Sequence, residues 1–435
     1  MKVTLVTVAL RMETAGGVTA PEAQWWDDEV TATDTRTRNV LPLRRDPFGH
    51  EHIPGTTIAG ALRAHCHDRP GLGGAFGPEP GATHRSASPI QVLGTWFPKA
   101  PTTTTHTRTA VDRFRGAPRT STLRATEMFD AGTEFRVALR WNDAEANEVA
   151  ALLDAVRSWA PVLGRGASIG AGQCVVTGLG HQTYDLSTAG GLMAWLRIGG
   201  LDDYPTPEHV PTTDRAAPVL RVTLAVVDAL HVGAGTTIGG AHGQQVAALV
   251  RRGNDIVIPG SGLKGVLRSR AEYICRVLEQ PACTDATCGQ CRPCRIFGHG
   301  ASEPGRPLRR AAVAVADAVV REPLVEHRQH VTVDRFTGGA QDELLFTHEV
   351  LVAGTFDLTV TPLGTPLDRG DLLLLDAVVL DLHDGLIGIG ARTTAGYGTV
   401  RVVGEWTRHD LADLPAALTK PTEVTEMAEV TEVTA

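Results

Sequence analysis

Four cysteines stand close together as Cys283-x4-Cys288-x2-Cys291-x2-Cys294. Thiolates at such spacing are soft ligands that can surround one tetrahedral ion, and zinc held by four thiolates is the closed, structural kind of site. With every position filled by protein, no open position is left for catalysis. The stretch that holds them, residues 280–295, is rich in Gly, Pro and small polar residues and has little core of its own. A bound ion would be what folds it. An iron–sulfur cluster is the rival, because C-x4-C-x2-C also opens the plant-type ferredoxin spacing; there, however, the fourth cysteine lies far away. Four free thiols are the plain alternative. Seven cysteines in all, four of them crowded, fit a reducing, cytoplasmic setting and a metal rather than disulfides. Cys66, Cys174 and Cys275 read as core.

A second set of residues suits phosphate. In Ile258-Pro-Gly-Ser-Gly-Leu-Lys-Gly-Val-Leu-Arg268, Pro259 and Gly260 end an extended run and Ser261 is a good N-cap. Lys264, Arg268 and Arg270 follow in the first turns of the helix. Free N–H groups at a helix start beside cations attract anions. A common strand–turn–helix with solvated charges is the plain alternative. Two Gly-rich loops, Gly164-Arg-Gly-Ala-Ser-Ile-Gly-Ala-Gly172 and Gly388-Ile-Gly-Ala-Arg-Thr-Thr-Ala-Gly-Tyr-Gly398, could bring backbone N–H groups to phosphate oxygens. Packing turns are their alternative.

The elements that must position these residues occur twice. Ile53-Pro-Gly-Thr-Thr-Ile-Ala-Gly-Ala-Leu-Arg63 repeats the first stretch. Val111-Asp-Arg-Phe-Arg-Gly116 matches Val333-Asp-Arg-Phe-Thr-Gly338, and Glu127 with Gly132-Thr133 matches Glu349 with Gly354-Thr355, all at an offset of 222. Ordered matches of this kind indicate a tandem duplication. From Ile53 to Phe76 and from Ile258 to Phe297 the second copy is sixteen residues longer, and that excess carries the cysteines.

IPG-[ST]-x-[IL]-x-G-x-L-R near the start of a domain and a Gly-rich loop near its end resemble the RAMP superfamily of CRISPR-associated proteins. VDRFxG followed by an E…GT strand resembles the backbone subunits of type III effector complexes, which often carry a zinc knuckle. The resemblance implies an α+β chain with two tandem ferredoxin-like (RRM-like) RAMP domains, loop insertions, and a zinc knuckle in the second. The partners implied are CRISPR guide RNA, complementary target RNA and other subunits of a type III-like complex. Candidate RNA-binding residues are Arg63, Arg113, Arg165, Gly166 and Gly170 in the first copy. In the second they are Lys264, Arg268, Arg335, Gly390, Arg392, Gly396 and Gly398. Arg108, Arg113, Arg115, Arg119 and Arg124 oppose one acid, Asp112, in a local basic patch. Asp112 and Asp334 are assigned the bend, and Arg113 and Arg335 the guide.

The resemblance also implies an acid before the IPG turn that helps a target-RNA ribose attack its own phosphate, with Mg2+ or Mn2+. The second copy has no acid between 232 and 254, and Gln244 and Gln245 stand there. In the first copy Asp34 is the candidate catalytic residue, with a solvated loop acid or a pure binding scaffold as alternatives. Two rival functions remain: a guide-precursor endoribonuclease with a histidine base, and a metal-binding protein unrelated to CRISPR.

The totals fit. The chain's 435 residues suit two domains. A net charge of −8 excludes a bulk nucleic-acid binder, although residues 422–435 hold four glutamates and no cation. No apolar run is long enough for a membrane span, and the run at residues 3–10 is short for a signal peptide. The expected organisation is 1–180, a connector 181–218, 219–406 with the insertion 280–295, and a disordered acidic tail 407–435. Expected strands are 3–12, 109–111, 134–141 and 173–177; expected helices are 56–67, 143–163 and 367–382. Residues 78–105 read as loop. Aromatics are 5% of the chain, so bases are not expected to stack on a sheet face.

Overall fold

The computed structural model describes residues 1–20, 24–25, 39–78, 86–112, 117–118, 122, 124–212, 215–239, 245–283, 288–300 and 308–419. The chain forms two compact units, Met1–Ala216 and Ala217–Ala435. Among the described residues no helix is long and apolar enough to cross a membrane.

In the first unit, strand β1 (Lys2–Met12) is apolar on both faces and therefore sits mid-sheet. It pairs antiparallel with β5 (Glu134–Asn142) on one side and β6 (Cys174–Asp185) on the other. β5 in turn pairs with β2 (Ile90–Trp96). Helix α1 (Gly55–Cys66) buries Ile58, Leu62 and Cys66, and α2 (Ala146–Arg157) buries Val149, Leu152, Leu153 and Val156. Both stripes have helical spacing and join one core with β1, β5 and β6. α2 begins with a capping box between Glu145 and Glu148 and ends at Arg157, six residues short of the expected 163. Pro161 disfavours helix at the residue before it.

Three expectations change here. The 78–105 loop contains β2 and the start of β3 (Thr103–Arg108); a threonine run is β-branched and suits a strand. β6 runs on to Asp185 rather than stopping at 177. The expected connector is built into this unit. α3 (Ala189–Leu196) lies against β6 with the Tyr184 and Trp195 rings 5.7 Å apart, and β7 (Glu208–His209) pairs with Gly178 and Leu179. Arg215 reaches back to Glu13 at 2.9 Å and to the Cys174 carbonyl at 2.7 Å.

The second unit repeats the connectivity. β8 (Leu220–Val226) lies between β15 (Val400–Val403) and β14 (Ala340–Pro362), and β14 also pairs with β12 (Val313–Val315). α4 (Gly260–Val277) and α6 (Arg369–His383) share its core. Each unit is thus strand–helix–strand–strand–helix–strand with the sheet order fourth, first, third, second. This α+β arrangement is compatible with the ferredoxin-like pattern. The expected tail is folded in part: α7 (Leu414–Thr419) buries Leu414 and Leu418, and His409 Nδ1 lies 2.7 Å from Asp376. Residues 420–435 lie outside the described residues.

One buried glutamate locks each unit in the same way. Glu127 accepts the Leu43 N–H at 2.8 Å and pairs with Arg45; Glu349 accepts the Leu249 N–H at 2.9 Å and pairs with Arg251 at 2.6 Å. The hydrogen bond from Arg251 holds the Glu349 carboxyl below its ordinary range. Its contribution to stability is therefore present above the ordinary carboxyl range and lost as pH falls through the lowered value. Glu349→Ala leaves Arg251 and a buried N–H short of a partner, and should cost about 2–3 kcal/mol in urea unfolding.

Candidate metal centre and candidate nucleic-acid interface

The four cysteines meet. Cys283 Sγ lies 3.6, 3.6 and 3.4 Å from those of Cys288, Cys291 and Cys294, and all four lie within 4.8 Å of one another. A tetrahedron with metal–sulfur bonds of about 2.3 Å needs sulfurs about 3.8 Å apart, so the donor set fits a zinc-sized ion. α5 (Arg292–Phe297) makes this possible: Cys291 is its N-cap, Pro293 favours its first turn, and Cys294 lies one turn on. The Cys288 N–H points at Cys283 Sγ and the Cys291 N–H at Cys288 Sγ, at 3.2 and 3.3 Å. Hydrogen bonds led by that from Cys291 hold the Cys294 thiol down to about 4, while burial pushes Cys283 up to about 11. Among the described residues they are the one set of three or more Cys, His, Asp or Glu side chains close enough to share an ion.

Arg268 belongs to this centre. Its guanidinium donates to Cys294 Sγ at 3.1 Å, to the Gly298 carbonyl at 2.7 Å and to Glu272 at 2.9 Å. Expected to meet RNA, it instead faces inward, because it falls on the α4 face that covers the insertion. Lys264, one turn earlier, is half-buried; burial and then the charge of Arg268 push its ammonium down to about 8. The start of α4 also differs from expectation. The helix begins at Gly260 with no side-chain cap from Ser261, and the Asp317 carboxylate accepts the Gly260 N–H at 2.7 Å. An anion of the protein's own already sits there.

The two Gly-rich loops have one geometry. Gly166 and Gly170 flank a short turn at 167–169, and Arg392 and Gly396 flank one at 393–395; all four flanking residues are left-handed. The loops dock on backbone just after the first strand of each unit, with Gly172 N–H on Ala15 O and Gly398 N–H on Ala229 O. A Cβ on Gly164 would stand 1.8 Å from Gly17 O, and one on Gly390 2.4 Å from His231 O. Close backbone packing is therefore what requires glycine at Gly164 and Gly390, and likewise at Gly398, where a Cβ would meet Ile389 O at 2.3 Å. Arg392 holds φ 61° where the first unit has Gly166. A large residue in that region is strained.

The other candidates are spread over both units. Arg165 is exposed on its loop. Arg63 donates to the carbonyls of Phe76, Gly77 and Pro78. Arg335 is exposed at the tip of the hairpin formed by β13 (Arg321–Val333) and β14, beside Phe336, which is 91% exposed. Asp334 caps that tip through the N–H groups of Phe336 and Thr337, the structural part expected of it. Arg113 and Asp34 lie outside the described residues. β10 (Gln245–Leu249) and the strand Asn39–Leu41 each pair parallel with their neighbour at equivalent positions. This register puts Asn39 and Gln245, both amides, in matching places.

The sequence reading missed one constellation. His330 lies directly across the hairpin from Phe346, and Arg328 from His348. The His330 and Phe346 rings stack at 5.4 Å and 20°. His348 lies edge-on to His231, His330 and Phe346, and Tyr397 OH bonds His330 at 2.9 Å. Arg392 places its guanidinium 4.6 Å over the Phe346 ring and its Nε 3.3 Å from His348 Nε2. Burial and the charge of Arg392 push His348 down to about 4. A low overall aromatic content did not reveal this local cluster of rings on the hairpin. The alternation Arg328-x-His330 and Phe346-x-His348 around the VDRFTG turn was the available signal.

No curated protein sequence matches the chain. The model of the RAMP superfamily matches residues 223–401, from within β8 to within β15. The matched residues all lie in the second unit, whose α+β sheet is compatible with the folds of that superfamily.

Proposed function

We propose that the protein is a guide-RNA-binding subunit of a type III-like CRISPR effector complex, with two duplicated RAMP domains in one chain. The RAMP match over 223–401 carries the reading. The first unit's equal strand order, equal Gly-loop hydrogen bonds and equal glutamate lock support the duplication. Each unit holds a stretch of guide by its phosphates, and base pairing with the guide selects the target RNA. Arg165, Arg335 and Arg392 are the contacts favoured here, with Lys264 as a further candidate and Arg113 beyond the described residues. Arg268 is assigned to the metal centre. Arg108 and Arg124 face each other across the ladder of β3 and β4 (Arg124–Phe129) and add positive charge to the first unit. The four cysteines would hold a structural zinc. The cleavage candidate Asp34 lies outside the described residues, and Mg2+ or Mn2+ binding has no support among the described ones.

The test is single-stranded RNA binding at several salt concentrations, with the native complex isolated and its RNA sequenced. Removing two phosphate contacts by Arg165→Glu with Arg335→Glu should weaken binding about tenfold for every sequence and flatten the salt slope by about 1.4. A slope that stays unchanged, or a native complex without short RNAs of uniform length, would count against the reading.

A further inference from the structure

We propose that Arg268 is a positioning residue of the metal centre, whose guanidinium fixes Cys294 and offsets the charge of the four thiolates so that they retain their ion. The proposal rests on the metal reading of the four cysteines and names the group of α4 that completes it. Four thiolates around one divalent ion carry more negative charge than the ion cancels. Cys294 has no exposed surface, and Cys283 and Cys291 are 2% and 5% exposed, so water screens that excess poorly. The Arg268 side chain is 14% exposed and places its Nη2 3.1 Å from Cys294 Sγ.

The other two nitrogens are held from different directions. Nε donates to the buried Glu272 at 2.9 Å, and Nη1 to the Gly298 carbonyl at 2.7 Å. Three acceptors around one rigid, planar fork fix where the N–H on the sulfur points. A hydrogen bond to a ligating sulfur draws off part of its electron density and orients it, which is the service that outer groups give to metal ligands. Arg276, about two turns on along the same face of α4, donates to the Cys283 carbonyl at 2.6 Å. One face of α4 thus reaches both the first and the last cysteine of the set.

The first unit separates this duty from the fold. Arg63 occupies the same place in its IPG stretch, which has no cysteine insertion. Arg63 donates to the Gly77 carbonyl at 3.3 Å, as Arg268 does to that of Gly298. Both glycines follow the phenylalanine that closes the stretch, and both are left-handed, at φ 77° and 81°. The carbonyl contact is therefore common to the two units, and the sulfur contact belongs to the second. Closing that turn accounts for an arginine at Arg63; at Arg268 the same side chain has gained a metal ligand as partner.

The test uses the full chain loaded with zinc or, without oxygen, with cobalt(II). Metal affinity is read by competition with a chromophoric chelator, and the thiolate-to-cobalt charge-transfer band reports on the sulfurs directly. Arg268→Met should lower zinc affinity about 10- to 100-fold. It should also move the charge-transfer band to longer wavelength, because a thiolate without its hydrogen bond gives up electron density more easily. Arg268→Met with Glu272→Leu removes the buried carboxylate together with its arginine partner, and should show the same two changes even where Arg268→Met alone fails to fold. Arg268→Lys, which keeps the charge but not the fork, should recover part of both. Arg63→Met removes the matching carbonyl contacts from the first unit and should move neither. If the band and the affinity stay where they are in the double variant, the role of Arg268 is overturned while the metal reading stands. A loss of affinity with an unmoved band, equal for Met and Lys, would reduce Arg268 to packing and overturn it too. If the reduced wild type takes up neither zinc nor cobalt, the metal reading falls and takes the proposal with it.

Discussion

Cys294→Ser, or removal of the metal by a strong chelator, should unfold the insertion and lower the melting transition of the second unit by more than about 10 °C, with the first unit's transition unmoved. Tetrathiolate zinc in peptide-sized domains is worth about 10–16 kcal/mol at neutral pH, far more than any single contact in this chain can supply. The local core around the sulfurs is three cysteines, Cys283, Cys291 and Cys294, and little else. Cys294 is fully buried and receives Arg268, so a serine there removes a ligand and strands a guanidinium together. Calorimetry should show two transitions, and elemental analysis should give one zinc per chain. Iron with visible absorbance would replace zinc by a cluster. A reduced protein with no metal, whose transitions ignore the chelator, would end the assignment.

Asp371→Ala should cost about 3–5 kcal/mol, again in the second unit alone. Asp371 has no exposed side-chain surface and pairs with Arg295 and, at 2.9 Å, with Arg292. It also closes the capping box of α6: the Asp368 N–H donates to Asp371 at 3.0 Å and the Asp371 N–H to Asp368 at 2.9 Å. Deleting it leaves two arginines of α5, which are 10% and 7% exposed, with only the partly exposed Asp368 as counter-charge. Breaking such a pair on one side is strongly destabilising even where the whole network adds little. Replacing Asp371, Arg292 and Arg295 together by apolar residues should therefore cost less than Asp371→Ala alone. Chemical denaturation of the single and triple variants checks this, and a triple variant weaker than the single one would show that the network is itself stabilising.

How far the chain could be read before folding depended on how local the signal was. The cysteines, the IPG turns and the Gly-rich loops are short motifs, and their spacing pointed to the cluster of four sulfurs and to the strand order that both units share. The direction a side chain takes was not legible. Arg268 and Lys264 are one turn apart on α4, yet Arg268 turns to the sulfurs because the insertion folds back over that face. The aromatic platform was hidden for another reason. His330 and Phe346 are brought together by hairpin register, and a turn of uncertain length between them conceals the partner. Helix ends failed where a distant group decides them, as with Asp317 at the start of α4. Threonine runs failed because the same residues suit a strand or a loop.

In each unit the first strand lies beside the last. Lys2 stands across from Asp185, and Thr223 from Val403, so chain entry and exit share one end of each sheet. A module whose ends emerge together can be copied in frame, spliced into a longer chain or re-cut at a surface loop without threading anything through its core. Growth of such a protein by whole units needs only a short peptide at the seam. Circular permutants of the second unit, joined through residues 217 and 419 so that α7 is kept, and opened at 364–366, should remain foldable for the same reason.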